Sequence, residues 1–108
     1  MGTPQLEDNG RIVTLDLHGA TVDEAIDLTY NALRLARQRG RSRLKLVHGS
    51  STNKPGNRTI KSALHNLLDR GELGTHATNV IRSQNTLVLA LDLTASTDDT
   101  RIRLRDVQ

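Results

Sequence analysis

Leu15-Asp16-Leu17-His18-Gly19 is the stretch on which the fold turns. Residues Arg11 to His18 alternate, and side chains two apart share one face of a strand. Val13, Leu15 and Leu17 take the inward face; Asp16 and His18 take the other. Thr21, with Glu24 three residues later, forms the pattern of a capping box that opens a helix. Asp23, Glu24 and Asp27 add negative charge in the first turns, where the helix dipole favours it. Val22, Ala25, Ile26, Leu28, Ala32, Leu33, Leu35 and Ala36 make a broad apolar face of helical period. Arg37 and Arg39 end the helix, and Gly40 suits the left-handed residue just past it.

Ser42 to His48 reads as a second strand, with Leu44 and Leu46 on one face and Val47 on the other. Strand, helix and strand make a βαβ unit, whose two strands run parallel with a right-handed crossover. Gly49 to Asn57 is a polar loop. A second helix runs from about Arg58 to Arg70, with Ile60, Leu64, Leu67 and Leu68 on its apolar stripe, and Gly71 closes it. Asn79 to Arg82 and Thr86 to Leu93 read as two strands joined through Ser83-Gln84-Asn85. The expected fold is an α/β two-layer sandwich in the order βαβαββ over residues 11–93, with a four-stranded mixed sheet and two helices. Residues 1–10, which hold Gly2, Pro4, Asn9 and Gly10, read as a flexible leader. Residues 94–108 read as a polar tail or an edge strand.

At 108 residues the chain has room for one core. With no Phe or Trp and a single tyrosine, Tyr30, that core is built from Leu, Val, Ile and Ala. The absence of cysteine excludes a disulfide framework and thiolate metal sites. The chain starts without a signal-peptide pattern and has no apolar run of membrane-spanning length, so a cytoplasmic protein with no membrane partner is expected. Charge is unevenly distributed. Residues 34–70 carry ten Lys or Arg against one acid, Asp69, whereas the first 33 residues carry six acids and one Arg. A basic middle of this kind is an electrostatic footprint for phosphate backbones.

His18 and His48 end the two parallel strands, and each is followed by a glycine, Gly19 and Gly49. Open α/β sheets bind ligands at that edge. Asp16 lies beside His18 and could tune it as a general acid or base. Ser50, Ser51, Lys54, Arg58 and Lys61 follow, where a helix start with basic side chains suits a phosphate. Arg41 and Arg43 extend the basic set. The candidate catalytic residues are therefore Asp16, His18 and His48. The candidate substrate-binding residues are Gly19, Gly49, Ser50, Ser51, Lys54, Arg58, Lys61, Arg41 and Arg43. Two histidines and an aspartate could also hold a divalent metal, but their spacing matches no strong metal motif, so no metal ligand is assigned. His65 and His76 lack this context and are expected at the surface.

These residues resemble the signatures of the Smr, or small MutS-related, domain family. Leu15-Asp16-Leu17-His18-Gly19 is similar to its LDLHG motif, and Val47-His48-Gly49 to the start of its HGxG motif; the likeness spans about residues 12–93. The resemblance implies a sandwich like the C-terminal domain of translation initiation factor three. It also implies nucleic-acid binding and, in several members, endonuclease activity, with nicking of DNA or cleavage of RNA. In such members the residues matching Asp16, His18, His48 and Gly49 are associated with activity. Ser51 stands where HGxG ends in glycine, and Ser83-Gln84-Asn85 where the family often carries glycines. The expected function is thus nucleic-acid binding with endonuclease chemistry on structured DNA or RNA. The alternative is a non-catalytic nucleic-acid-binding or protein-interaction module.

Overall fold

The computed structural model describes residues 4–48, 59–71, 77–91 and 100–108. Five strands form one mixed sheet: β1 (Gln5–Asp8), β2 (Ile12–Asp16), β3 (Arg43–Val47), β4 (Ala77–Arg82) and β5 (Thr86–Leu91). Three helices accompany them: α1 (Val22–Gln38), α2 (Ile60–Asp69) and α3 (Leu104–Val107). The strand order is β1-β2-β3-β5-β4. β2 and β3 are parallel, and every other pairing is antiparallel.

Register explains the core. Val13 pairs with Leu44 and Leu44 with Leu89; Leu15 pairs with Leu46 and Leu46 with Leu87. These six side chains share one face of the sheet and are fully buried. α1 covers that face with Ala25, Leu28, Ala32, Leu33 and Ala36, and α2 and α3 pack against α1. Ile12, Thr14, Asp16, Arg43, Lys45, Val47, Thr86, Val88 and Ala90 occupy the alternate positions and face the other way. The capping box at Thr21 and Glu24 is present. Thr59 and Ser62 form a second one at the start of α2. At the end of α1 the N–H of Gly40 reaches the Arg37 carbonyl (3.2 Å) and that of Arg41 reaches the Ala36 carbonyl (2.8 Å). Gly40, at φ +70°, makes this Schellman ending without Cβ strain.

Both ends of the chain correct the sequence reading, so the four-stranded, two-helix count becomes five strands and three helices among the described residues. Residues 5–8 form a strand rather than part of a leader, with Leu6 opposite Leu15 and packed on the core. The Asn9-Gly10 turn makes this hairpin: Asn9 Oδ1 accepts the N–H groups of Arg11 and Ile12, and Gly10 sits at φ +94°. A Cβ at Gly10 would collide with the Arg101 guanidinium. At the other end, Ile102 and Val107 are buried, α3 lies on α1, and Asn31 Nδ2 donates to the Val107 carbonyl at 2.8 Å. A five-residue alternation cannot by itself distinguish a strand from an extended approach to a helical turn. The loop read over Gly49 to Asn57 lies outside the described residues.

One ion pair holds the ends together. Asp8 and Arg41 are both fully buried at the side chain, with Nε of Arg41 2.8 Å from Asp8 Oδ1. Nη2 of Arg41 donates to Asp8 Oδ2 at 3.0 Å and to the Thr100 carbonyl at 2.9 Å, and Nη1 donates to the Arg39 carbonyl at 2.8 Å. The Asp8 carboxylate also accepts the N–H groups of Gly10 and Ile102. Burial pushes the Asp8 carboxyl up. Its bonds from Arg41, Ile102 and Gly10 outweigh that and hold it below its ordinary value of 3.8.

Breaking this pair from one side strands a buried charge, so Asp8→Ala is expected to cost about 3–5 kcal/mol in urea unfolding. The double variant Asp8→Leu with Arg41→Met, which leaves no lone charge, should be more stable than either single change. Because the folded Asp8 binds its proton more weakly than the unfolded chain does, its contribution is complete above pH 3.8. It is lost as pH falls through the lower folded value, and Asp8→Ala should lose that part of the acid slope.

Candidate nucleic-acid interface

The parallel pairing of β2 and β3 brings their carboxyl ends to one edge. The Leu17 N–H donates to the Val47 carbonyl at 2.9 Å, and His18 and His48 come next along each strand. After β2 the Ala20 N–H closes a turn onto the Leu17 carbonyl at 3.1 Å, with Gly19 at φ +86°. A left-handed third residue makes this a type II turn, which is the physical reason for glycine there. The Asp16 carboxylate accepts the backbone N–H of His18 at 2.9 Å, an Asx turn that secures the same bend. The expected pairing of Asp16 with the His18 imidazole is replaced by this contact. No hydrogen bond joins the two side chains, and His18 is exposed.

Strand parity separates Asp16 from His48. Asp16 pairs with Val47 and lines a shallow depression of about 380 Å³ with Gln5, Glu7 and Thr14 on the face away from α1. His48 follows Leu44 and Leu46 in phase and turns toward the helical layer. There its ring meets that of His65 on α2 edge to face, with centroids 6.0 Å apart and planes at 80°. His65, expected at the surface, is half-buried, with its Nε2 buried and without a hydrogen-bond partner among the described residues. Its spacing of four from Lys61 was the available signal, since residues so related share a helix face. His76 lies outside the described residues.

Other groups gather at this corner. Nζ of Lys61 lies 3.3 Å from the Gln84 carbonyl in the β4–β5 hairpin, and the His48 N–H donates to the Asn85 carbonyl at 3.0 Å. Arg82, at the end of β4, reaches Asp69 at 3.3 Å across an exposed pair. Burial lowers the pKa of His65 first. The positive charges of Arg82, His48 and Lys61 lower it further, and only Asp69 opposes them.

Of the remaining basic candidates, the two that are described, Arg41 and Arg43, do not converge on this corner. Arg41 is fully buried on Asp8, which corrects its assignment as a substrate contact. Arg43 is exposed, but at the start of β3, four residues back from the edge and on the open face with Lys45. Gly49, Ser50, Ser51, Lys54 and Arg58 lie outside the described residues. No three His, Asp or Glu residues come together as a metal site among the described residues. A second depression, of about 430 Å³, lies between α1 and the chain ends and carries Glu24 and Asp27, the wrong sign for a phosphate.

A family model, described as Smr domain, matches residues 15–84. The chain belongs to the Smr domain family. That family is associated with nucleic-acid binding and nicking. The Smr match spans both histidine edges, the whole of α2, β4 and Gln84, whose carbonyl receives Lys61. No curated protein and no solved structure matches the chain. No helix of this Smr domain, among the described residues, is long and apolar enough to cross a membrane.

NMR titration should show His65 releasing its proton below the ordinary value of 6.5. The unfolded chain takes up that proton first, so the His65 contribution to stability is complete above that value. It falls as pH drops through the lower folded value, and urea unfolding of His65→Phe should lack this component. Asp16→Asn, which keeps an acceptor for the His18 N–H, should hold its stability. Asp16→Ala should lose about 1 kcal/mol.

Proposed function

We propose that this Smr domain binds structured nucleic acid through phosphate and shape contacts at the edge formed by β2 and β3, and cleaves a phosphodiester there by acid–base chemistry. The supporting observation is the delivery of His18 and His48 to adjacent parallel strand ends, with Lys61 and Arg82 beside them. His18, exposed on its glycine turn, is the proton-transfer group. His48 stabilises developing charge or serves as the second acid or base. Lys61 is proposed to hold phosphate oxygens, together with the backbone at Gly19 and Gly49 and with Ser50, Ser51, Lys54 and Arg58. With one aromatic residue in the chain, base stacking contributes little, and affinity rests on the backbone.

Two observations favour a second reading, in which the domain binds nucleic acid without cutting it. Ser51 replaces a motif glycine, and the Asp16 carboxylate is engaged by backbone rather than by the His18 ring. A nuclease of the proposed kind needs an oriented imidazole. Assays need arms with and without a divalent ion.

Purified protein incubated with plasmid, branched DNA and structured RNA separates the two readings. Under the first, wild type cleaves, while His18→Ala and His48→Ala fold normally and lose at least about a hundredfold in rate, the lower end for acid–base catalysis. Full activity in His18→Ala refutes its assignment. Under the second, none of the three proteins cleaves, yet all bind. Both readings expect affinity to fall steeply between about 50 and 200 mM salt.

A further inference from the structure

The corner where α2 and the β4–β5 hairpin clasp the end of β3 holds four basic side chains from three elements. His48 directly follows β3, Lys61 and His65 lie one turn apart on α2, and Arg82 ends β4. The clasp is built from specific bonds: Lys61 to the Gln84 carbonyl, the His48 N–H to the Asn85 carbonyl, and the two imidazoles edge to face at 6.0 Å. Among the described residues one acid, Asp69, faces the group, and it is engaged by Arg82 in a pair that is largely open to solvent. Among the described residues, Lys61 and Arg82 face that single acid, so the corner carries a net positive charge.

We infer that Lys61 and Arg82 form a seat for a single phosphate group, and that His65 behind them takes up a proton from solvent when the phosphate docks. The inference rests on the nucleic-acid reading above for its natural ligand, a phosphodiester, but not for its test. Lys61 and Arg82 supply long, partly exposed cationic arms. His48 and His65 act through charge rather than contact, since Nε2 of each is buried. In the resting protein the groups facing it are His48 from β3, Lys61 and Asp69 from α2, and Arg82 from β4. Three of these four disfavour a proton on His65 whenever they are charged, and burial adds to them. A docked phosphate reverses the sign of the field at that point, so binding and proton uptake are linked. Affinity for phosphate therefore rises as pH falls, and the linked proton belongs to a histidine outside both signature motifs.

Nitrogen-detected imidazole NMR of the wild-type chain, titrated with pH at constant ionic strength in chloride and then in inorganic phosphate, reads this directly. Phosphate should raise the His65 midpoint by about half a unit or more, a threefold gain in proton affinity. The Lys61→Gln/Arg82→Gln variant, altered at partly exposed side chains, should lose that rise. An unchanged midpoint in wild type, or a rise that persists in the double variant, overturns the seat. A second arm measures binding of an RNA hairpin and a branched DNA at pH 7.5 and pH 5.5. His65→Phe, which keeps an aromatic ring against His48, should lose about threefold of the affinity that wild type gains on acidification. If His65→Phe does not fold, the Lys61→Gln/Arg82→Gln variant should show the same loss. Equal pH dependence in wild type and a folded variant refutes the seat and leaves the nucleic-acid reading standing. A phosphate response without nucleic-acid binding at low salt supports the seat and removes that reading.

Discussion

The fold depends on one buried ion pair, Arg41 with Asp8, which ties three segments distant in sequence. A guanidinium and a carboxylate taken wholly out of water are tolerated only when nearly all their hydrogen-bonding capacity is used. That condition is met here. Arg41 reaches Asp8 from two nitrogens and the carbonyls of Arg39 and Thr100; Asp8 accepts Arg41, Gly10 and Ile102. Gly40 sets up the arrangement by turning the chain left-handed at the end of α1, so that Arg41 enters the interior. The first strand and the C-terminal segment are therefore parts of the domain, fixed by contacts to the same side chains.

That pair also reshapes the electrostatics. Ten basic residues in the middle of the chain suggest one phosphate-binding stripe. In three dimensions Arg41 is interior, Arg43 and Lys45 lie on the open sheet face, and Lys61 joins Arg82 at the corner beside His48. A helix, a strand and a turn project successive residues in different directions, so charges adjacent in sequence diverge in space. Among the described residues, the corner gathers fewer of these charges than the run along the sequence implies.

Strand parity does the same for the signature residues. Asp16 and His48 belong to opposite phases of neighbouring strands, so the carboxylate lies toward the open face and the imidazole toward the helices. Asp16 and Gly19 are accounted for by the bend they build after β2, and His18 is the exposed product of that bend. His48, in contrast, is held by α2 and the hairpin, and the side chain it meets is His65.

Local pattern by itself determined the βαβ unit, the leucine face of the sheet, both main helices and the delivery of His18 and His48 to one edge. These follow from periodicity, capping and the parallel pairing that a helical crossover imposes. The LDLHG stretch also carried the family, whose model covers it. Tertiary structure decided the rest. Asn9-Gly10 carried a hairpin signal, but Gln5-Leu6-Glu7-Asp8 is too polar to declare a strand until Leu15 and Arg41 receive it. Ile102 and Val107 became core only because α1 offers a surface beside them. The roles of Arg41, Asp16 and His65 were set by what lies across space from each, through burial and hydrogen bonding, and spacing along a chain does not encode these.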